Sequence, residues 1–175
     1  MLKVLACEKI KIYLYKMIKD KFRENVAAII INKDKKVLMC EHAWIDDAWQ
    51  FPQGGVDKGE EENDAIIREL FEEIGTKSFK IVDKMDKHLK YIFPFYLKEK
   101  YQFNGQKQKY FLLYFTGDDS EIRFDNQEKP EFKAFKWVDY DEPPKKVIYF
   151  KKLAYLAALT YFKDKVDKVD LSQYK

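Results

Sequence analysis

The sequence predicts one domain of the α/β or α+β type, in which a mixed β-sheet packs with at least two helices. Three observations lead to this prediction. The chain has 175 residues, which is enough for one compact hydrophobic core. Its residues are 46% apolar and 17% aromatic, and this composition excludes intrinsic disorder. Short β-branched runs occur along the chain together with segments of helical periodicity.

The first half of the chain predicts a β-hairpin, a loop and a helix. Residues 26–31 and 37–40 are apolar runs of strand length, and the polar residues between them favour a turn. The segment 53–59 contains two adjacent glycines and is predicted to be a loop. From about residue 61 to residue 74 the apolar period becomes helical, and Gly75 is a typical helix end.

The second half predicts more strands and a closing helix. The strands are expected at 80–83, 91–96, 110–115 and 132–138. We expect Pro143 and Pro144 to break the chain, and a helix to follow over about 147–165. Apolar residues of that helix align on one side: Phe150, Leu153, Leu156, Ala157 and Tyr161.

The chain is expected to form a leader (1–21), one domain (22–165) and a tail (166–175). The two cysteines do not make a disulfide framework, which favours a reducing, cytoplasmic setting. No apolar run approaches the length that spans a bilayer. We therefore expect a monomer without a membrane partner.

Charge excludes two further classes of protein. The chain has 33 basic and 30 acidic residues, so its net charge is only +3. This balance excludes a simple polycation that binds nucleic acid by bulk charge, and it excludes an acidic tail protein.

Three carboxylates share one face of the first predicted helix. At about 100° per residue, Glu69, Glu72 and Glu73 lie together by their i, i+3 and i+4 spacing. Ala65 leaves space above them, and this face is expected to be separate from the buried one. A solvated acidic face is the plain alternative, but like charges at this spacing repel each other. Arg68 is the only base in the run, and grouped carboxylates suit Mg²⁺ or Mn²⁺.

The adjacent glycines Gly54 and Gly55 lie just before this helix. Glycine permits positive φ and close approach of the backbone to another group. We expect a loop carbonyl here, at Gly54, to complete the metal shell.

The segment from Gly54 to Thr76 resembles the Nudix box. It has Gly54, five residues, Glu60, seven residues, and then Arg68-Glu69-Leu70-Phe71-Glu72-Glu73-Ile74-Gly75. Resemblance to Nudix hydrolases implies an α/β/α sandwich around a mixed sheet. It also implies metal-dependent hydrolysis of a nucleoside diphosphate linked to another moiety. By that resemblance Glu69, Glu72 and Glu73 are catalytic metal ligands. Arg68 orients them and Glu60 supports them.

Other motifs resemble the RNA pyrophosphohydrolase branch of this family, which includes dinucleoside polyphosphate hydrolases. They are Arg23-x-Asn25-Val26, Trp49-Gln50-Phe51-Pro52-Gln53-Gly54-Gly55, Gly105-Gln106-Lys107-Gln108-Lys109-Tyr110-Phe111, Pro130-Glu131-Phe132 and Phe150-Lys151. The resemblance makes Glu131 a further metal ligand. Substrate contacts are expected at Arg23, Gln53, Lys109, Phe150 and Lys151. Glu24, His42 and Ala43 depart from the branch, which has Pro at the first position and Arg near the other two.

The leading hypothesis is an enzyme that removes pyrophosphate from the 5′ triphosphate end of RNA and so initiates RNA decay. It would use two or more Mg²⁺ or Mn²⁺ ions, with one of the three box carboxylates as general base. The first alternative is a hydrolase of dinucleoside polyphosphates such as diadenosine tetraphosphate. The second is a non-catalytic module that senses nucleotides or RNA.

One segment keeps two interpretations. Residues 84–115 contain seven lysines and ten aromatic residues. They form either a nucleic-acid track or amphipathic strands that bury aromatic rings and expose lysines.

Overall fold

The computed structural model describes residues 21–174, which form one eight-stranded sheet with helices on both faces. Residues 1–20, with Cys7 and nearly all of the predicted leader, lie outside the described residues. The strands are β1 (Phe22–Ile31), β2 (Val37–His42), β3 (Trp49–Gln50), β4 (Gln53–Gly55), β5 (Phe79–Lys84), β6 (Leu89–Ile92), β7 (Gly105–Phe115) and β8 (Phe132–Val138). The helices are α1 (Glu62–Ile74), α2 (Phe95–Tyr101), α3 (Pro143–Lys146) and α4 (Lys152–Lys168). Short 3₁₀ turns lie at Asp119–Glu121, Tyr149–Lys151 and Leu171–Tyr174.

The sheet is mixed, as the sequence predicts. Strands β1 and β7 pair in parallel along their whole length, from Phe22 opposite Gly105 to Ile31 opposite Tyr114. The other pairs are antiparallel, in the order β3-β2-β1-β7-β5, with β4 on β1, β6 on β7 and β8 on β2. Because β7 occupies one edge of β1, strands β2 and β4 share the other edge. The glycines of β4 therefore lie at the centre of the fold.

The sheet separates two hydrophobic cores. Successive side chains of a strand point to opposite faces, so β7 contributes to both. Tyr110 and Leu112 pack in the core beneath α4, whereas Phe111 and Leu113 pack in the core beneath α1. This arrangement is the α/β/α sandwich that the sequence predicts.

Three prolines mark differences from the predicted elements. The predicted strand 91–96 is wrong, because β6 ends at Ile92 and α2 begins at Phe95 directly after Pro94. Proline has no N–H to donate to a sheet, but it is tolerated where a helix begins. Pro143 and Pro144 likewise do not break the chain; they occupy the first turn of α3.

The closing helix packs against the sheet through a different side from the one that the sequence pattern predicts. Its buried residues are Ala154, Tyr155, Ala158, Leu159, Phe162 and Val166. Leu153 is 80% exposed. Small side chains at two of the buried positions allow the helix to lie close to the sheet. The helix ends at Lys168, three residues beyond the predicted end, and Val169 and Leu171 also pack against the core.

None of the helices within residues 21–174 is long and apolar enough to cross a bilayer.

Candidate active site

The segment around Gly54 folds as a strand, a loop, a helix and a tight turn, so the predicted loop 53–59 is a strand over its first three residues. Strand β4 ends at Gly55 and α1 starts after the extended residue Glu61. Gly75 ends the helix with a φ of +78°, and its N–H donates to the carbonyl of Phe71 at 3.1 Å. Positive φ is the conformation for which glycine is preferred at a helix end.

Arg68 ties the loop to the helix. Its guanidinium donates to both carboxylate oxygens of Glu60 at 2.8 Å and to the carbonyl of Gly55 at 2.9 Å. The backbone N–H of Asp57 also donates to Glu60, at 2.9 Å. These bonds, with Arg68 the largest contribution, lower the pKa of Glu60 to about 2. Arg68 and Glu60 therefore connect the loop after β4 to α1.

Arg68 also reaches two of the box carboxylates. Its Nη1 lies 2.9 Å from Glu69 and 3.3 Å from Glu72. The carboxylate of Glu69 rests against Gly54 so closely that a Cβ there would lie 1.8 Å from its Cδ. Burial raises the pKa of Glu69, although the charge of Arg68 acts in the opposite direction. Only glycine permits this approach of backbone and carboxylate.

The position of Glu73 shows that the acidic face of α1 is not separate from its buried face, although the sequence predicts a separation. Its side chain is 5% exposed, and Ala65 on the same face is fully buried. The N–H of Gln53 donates to Glu73 Oε2 at 2.9 Å. Burial raises the pKa of Glu73 well above its ordinary value, and the neighbouring carboxylate of Glu131 raises it further. The acidic face of α1 therefore passes from the half-buried Glu72 into the interior.

Glu131 approaches Glu73 from the segment that leads into β8. The N–H of Ala43 donates to the Glu131 carbonyl at 2.7 Å, and Gln50 Nε2 donates to Glu131 Oε1 at 2.9 Å. The position opposite the box helix, which the resemblance implies for this residue, agrees with the structure. Carboxylates from two separate elements thus meet beside the glycine loop.

This donor set fits divalent metal ions. The charges of Glu69 and Glu131 both raise the pKa of Glu73, and a cation among the three would relieve this repulsion. Carboxylates with a backbone carbonyl are the ligands that Mg²⁺ and Mn²⁺ prefer. Within residues 21–174, no three acidic, His or Cys side chains already surround one point at ligand distance. Arg68 holds Glu69 and Glu72, while Glu73 bonds to the loop.

A pocket of about 340 Å³ opens above these carboxylates. Glu69, Glu131 and Gly54 line it together with two cations, Arg23 and Lys151. Arg23 lies across Gly55, where a Cβ would approach its Nη2 to 2.5 Å. Among the described residues, the Arg23 guanidinium has no hydrogen bond or ion pair, so it can bind an anion in the pocket.

Lys151 is a buried cation on the wall of the pocket. Its Nζ donates to Gln50 Oε1 at 2.8 Å and to Gln53 Oε1 at 3.1 Å. Burial lowers its pKa to about 8, against the opposing charges of Glu131 and Glu73. The adjacent Phe150 packs against the core and also lines the pocket. Its ring therefore contacts the core and faces the space in which a ligand would bind.

A hydrogen-bonded group of amides lies at the pocket, and among its members only Gln53 has a role that the sequence predicts. Gln108 Nε2 donates to Gln53 Oε1 at 3.0 Å and also to Asn25 Oδ1. The hydroxyl of Tyr91 donates to Gln106 Oε1. All four of these amides lie in the family motifs, but nothing in the sequence marks Tyr91. The network joins β1, β4, β6 and β7 under the two pocket cations.

Lys109 lies away from the pocket that its predicted substrate contact requires. Strand alternation directs it to the α1 face, where its Nζ donates to the Asp86 carbonyl at 3.0 Å and lies 3.8 Å from Glu62.

Two of the residues that depart from the family branch lie in different parts of the structure. Glu24 pairs with Lys107 on the surface, whereas His42 lines the pocket.

Comparison with protein families and relatives gives consistent results. The family model for the NUDIX domain matches residues 21–158. The RNA pyrophosphohydrolase of Helicobacter pylori strain G27 is 39% identical over 153 residues, which cover 84% of this chain and 97% of the relative. The RNA pyrophosphohydrolase of a Nitratiruptor species is 41% identical over 152 residues, with the same coverage.

Solved structures show the same fold at lower sequence identity. The E. coli dihydroneopterin triphosphate pyrophosphohydrolase has a TM-score of 0.66 and 20% identity, over 83% of this chain and 99% of that one. A C. elegans Ap4A hydrolase in a binary complex has a TM-score of 0.58 and 21% identity, over 81% and 98%.

Proposed function

Because the chain belongs to the NUDIX domain family, we propose that it is an RNA pyrophosphohydrolase, which removes pyrophosphate from the 5′ triphosphate end of RNA and leaves a 5′ monophosphate. The RNA pyrophosphohydrolases that resemble it at 39% and 41% identity support this substrate. Nudix hydrolases generally need divalent metal ions. The proposal includes two or more Mg²⁺ or Mn²⁺ ions and a monomer that acts in the cytoplasm through domain 22–165. Its action would initiate RNA decay.

One observation carries the proposal: carboxylates and cations line the same pocket. Glu69 and Glu131 lie at its base, and Arg23 and Lys151 lie on its walls. A triphosphate needs both kinds of group. Its oxygens repel a nucleophile unless their charge is neutralised, and cations on the walls hold the chain of phosphates in place.

The residues that would hold metal are Glu69, Glu72, Glu73, Glu131 and the carbonyl of Gly54. Metal ions bound there would neutralise phosphate charge and lower the pKa of a water molecule. One of the three box carboxylates accepts the proton from the attacking water.

The cations have a separate role. Arg23 and Lys151 bind phosphate oxygens and orient the bond that breaks.

One assay separates the proposal from its alternatives. The protein is incubated with Mg²⁺ and, separately, with 5′-triphosphorylated single-stranded RNA, diadenosine tetraphosphate and nucleoside triphosphates, and kcat/KM is measured for each. We expect the highest kcat/KM with RNA. A higher value with diadenosine tetraphosphate would replace the proposal with a dinucleoside polyphosphate hydrolase. Absence of turnover with every substrate would leave a non-catalytic sensing module.

Replacement of Glu72 tests the catalytic assignment. Glu72→Gln removes a charge but keeps the shape of the side chain, so we expect kcat to fall at least about 100-fold with an unchanged melting temperature. The matched control is Glu61→Gln, the same change at the exposed start of α1, which should keep wild-type turnover. Near-normal kcat in Glu72→Gln would contradict the assignment.

A further inference from the structure

Helix α2 has an unusual surface for a helix in a water-soluble domain. Four of its seven residues are apolar or aromatic, yet none of the seven is buried. Phe95 is 73% exposed, and Tyr96 and Tyr101 are exposed at 58% and 45%. Exposed apolar clusters of this kind mark binding surfaces. Since Tyr96 and Tyr101 also line the active-site pocket, the helix forms one wall of its mouth.

A chain of ring contacts connects this helix to the interior of the pocket. Tyr101 lies 5.8 Å from Phe93, measured between ring centroids, and Phe93 lies 6.2 Å from Phe150. Tyr149 extends the chain on the other side, at 5.5 Å from Phe150. The two inner rings, Phe93 and Phe150, are buried or half-buried, and the two outer rings are exposed. The aromatic surface is therefore continuous from the pocket to the outside.

Lysines lie beside these rings. The ammonium of Lys100 lies 5.1 Å from the centroid of Tyr101, and that of Lys151 lies 5.9 Å from the centroid of Tyr91. Aromatic rings with interleaved cations are the surface that binds single-stranded nucleic acid, by stacking of bases and pairing with phosphates.

We propose that Tyr96 and Tyr101 of α2 stack the bases of the nucleotides that follow the reacting 5′ end of a single-stranded RNA, with Lys100 at their phosphates. This inference rests on the proposed function, which makes RNA the substrate. The α2 surface is continuous with the pocket that would hold the triphosphate. A strand that leaves the pocket on this side meets the rings of α2 directly.

Charge complementarity favours RNA over a protein partner. Helix α2 carries Lys98 and Lys100 against the single acid Glu99, and Lys90 lies on the preceding strand. An RNA strand supplies one negative charge and one stacking base per nucleotide, so it matches both features of the surface.

The test measures how affinity depends on RNA length. Dissociation constants are measured for 5′-monophosphorylated single-stranded RNAs of two and of six nucleotides. Because one stacked base contributes about 1–3 kcal/mol, we expect the wild-type protein to bind the longer RNA at least about 5-fold more tightly. In the double variant Tyr96→Ala/Tyr101→Ala this ratio should fall close to one. Tyr101→Phe keeps the ring and should keep the ratio.

Tyr161 provides the matched control. It is 44% exposed, like Tyr101, but it lies on α4 outside the pocket. Tyr161→Ala should keep the wild-type ratio. An unchanged ratio in the double variant, or an equal loss in Tyr161→Ala, would overturn the inference and leave the α2 surface to a protein partner.

The two proposals fail in different ways. Loss of the length dependence in the double variant, with no release of pyrophosphate by the wild-type protein, would reject the proposed function and leave α2 as an RNA-binding surface without a reacting 5′ end. Release of pyrophosphate with an unchanged length dependence would reject this inference alone.

Discussion

Gly54 shows how one missing side chain can organise a catalytic site. The Glu69 carboxylate occupies the space that any Cβ at this position would take, 1.8 Å from its Cδ. Gly55 has a corresponding relation to Arg23. The two glycines thus let a carboxylate and a guanidinium approach the same short stretch of backbone. A carboxylate and a guanidinium come to lie side by side.

Replacement of Gly54 should impair catalysis more than folding. Gly54→Ala forces the Glu69 carboxylate to move by an ångström or more, so we expect kcat/KM to fall at least about 100-fold. Gly59→Ala is the control, because nothing lies within 4 Å of a Cβ at that glycine. Its φ of +85° costs about 1 kcal/mol of stability when Ala replaces Gly, without loss of turnover. Equal kcat/KM values for the two variants would contradict the role of Gly54.

Lys151 gives the reaction a basic limb in its pH profile. Burial disfavours the ammonium and lowers the pKa to about 8, so the positive charge is lost as the pH rises through that value. We expect kcat/KM for RNA to decline above about pH 8, because a neutral amine binds phosphate poorly. Lys151→Met should have a lower kcat/KM at neutral pH and no such decline. Lys152→Met, at the exposed neighbour, should retain the wild-type profile. An identical basic limb in Lys151→Met would assign the limb to another group.

At the scale of elements, α4 contacts the segment between β3 and β4, just before the two glycines. The rings of Phe51 and Tyr155 stack at 4.1 Å with an angle of 2° between their planes. The N–H of Phe51 donates to the Tyr155 hydroxyl at 2.8 Å in the buried core. Phe51 is two residues before Gln53, whose N–H binds Glu73. A helix on one face of the sheet thereby positions a carboxylate that comes from the other face.

Removal of one hydroxyl tests this link. Tyr155→Phe leaves the Phe51 N–H buried without an acceptor, and we expect a loss of about 1–3 kcal/mol in the free energy of unfolding. Urea denaturation followed by circular dichroism measures it. Tyr161→Phe loses only an exposed hydroxyl, 3.3 Å from Asp86, and should change the free energy by less than about 0.5 kcal/mol. Equal stability of the two variants would show that the link contributes nothing.

The elements also show where sequence patterns are informative. Strand β8 begins and ends where its apolar run predicts, and the box helix differs by one residue at its start. Helix α2 is not predicted because its aromatic residues are equally typical of a strand. Only Pro94, which directly precedes the helix, argues against a strand. The buried side of α4 is not predicted either, because apolar residues lie on more than one side of this helix. Periodicity indicates which residues share an apolar face, but it does not indicate which of these faces packs against the sheet.

The site itself divides in the same way. Fixed spacing in one motif is enough to bring Glu69, Glu72 and Glu73 onto one helix. The burial of Glu73 depends on contacts between residues far apart in the chain, and so do the hydrogen bonds among the amides at the pocket. Local spacing carries no information about them.

At the scale of the whole molecule, the near-neutral charge conceals a division. Residues 56–73 contain eight acids and two bases, a net charge of −6, so the rest of the chain carries +9 to give the total of +3. Of the carboxylates that line the pocket, Glu69 belongs to the acidic part, whereas Glu131 belongs to the rest of the chain together with Arg23, Lys100 and Lys151. Divalent cations bound to the acidic part would leave a site that attracts a polyanion. Charge balance alone does not predict such a site, because opposite charges cancel in the sum.

The most direct test of this account is the identity of the product in a single turnover. The protein, in excess over 5′-triphosphorylated single-stranded RNA, is mixed with Mg²⁺, and both the small product and the RNA 5′ end are analysed. We predict one pyrophosphate released per RNA and a 5′ monophosphate left on the RNA, with both products lost when a chelator removes the metal. An RNA that keeps its triphosphate, or the same products in the presence of the chelator, would contradict the account.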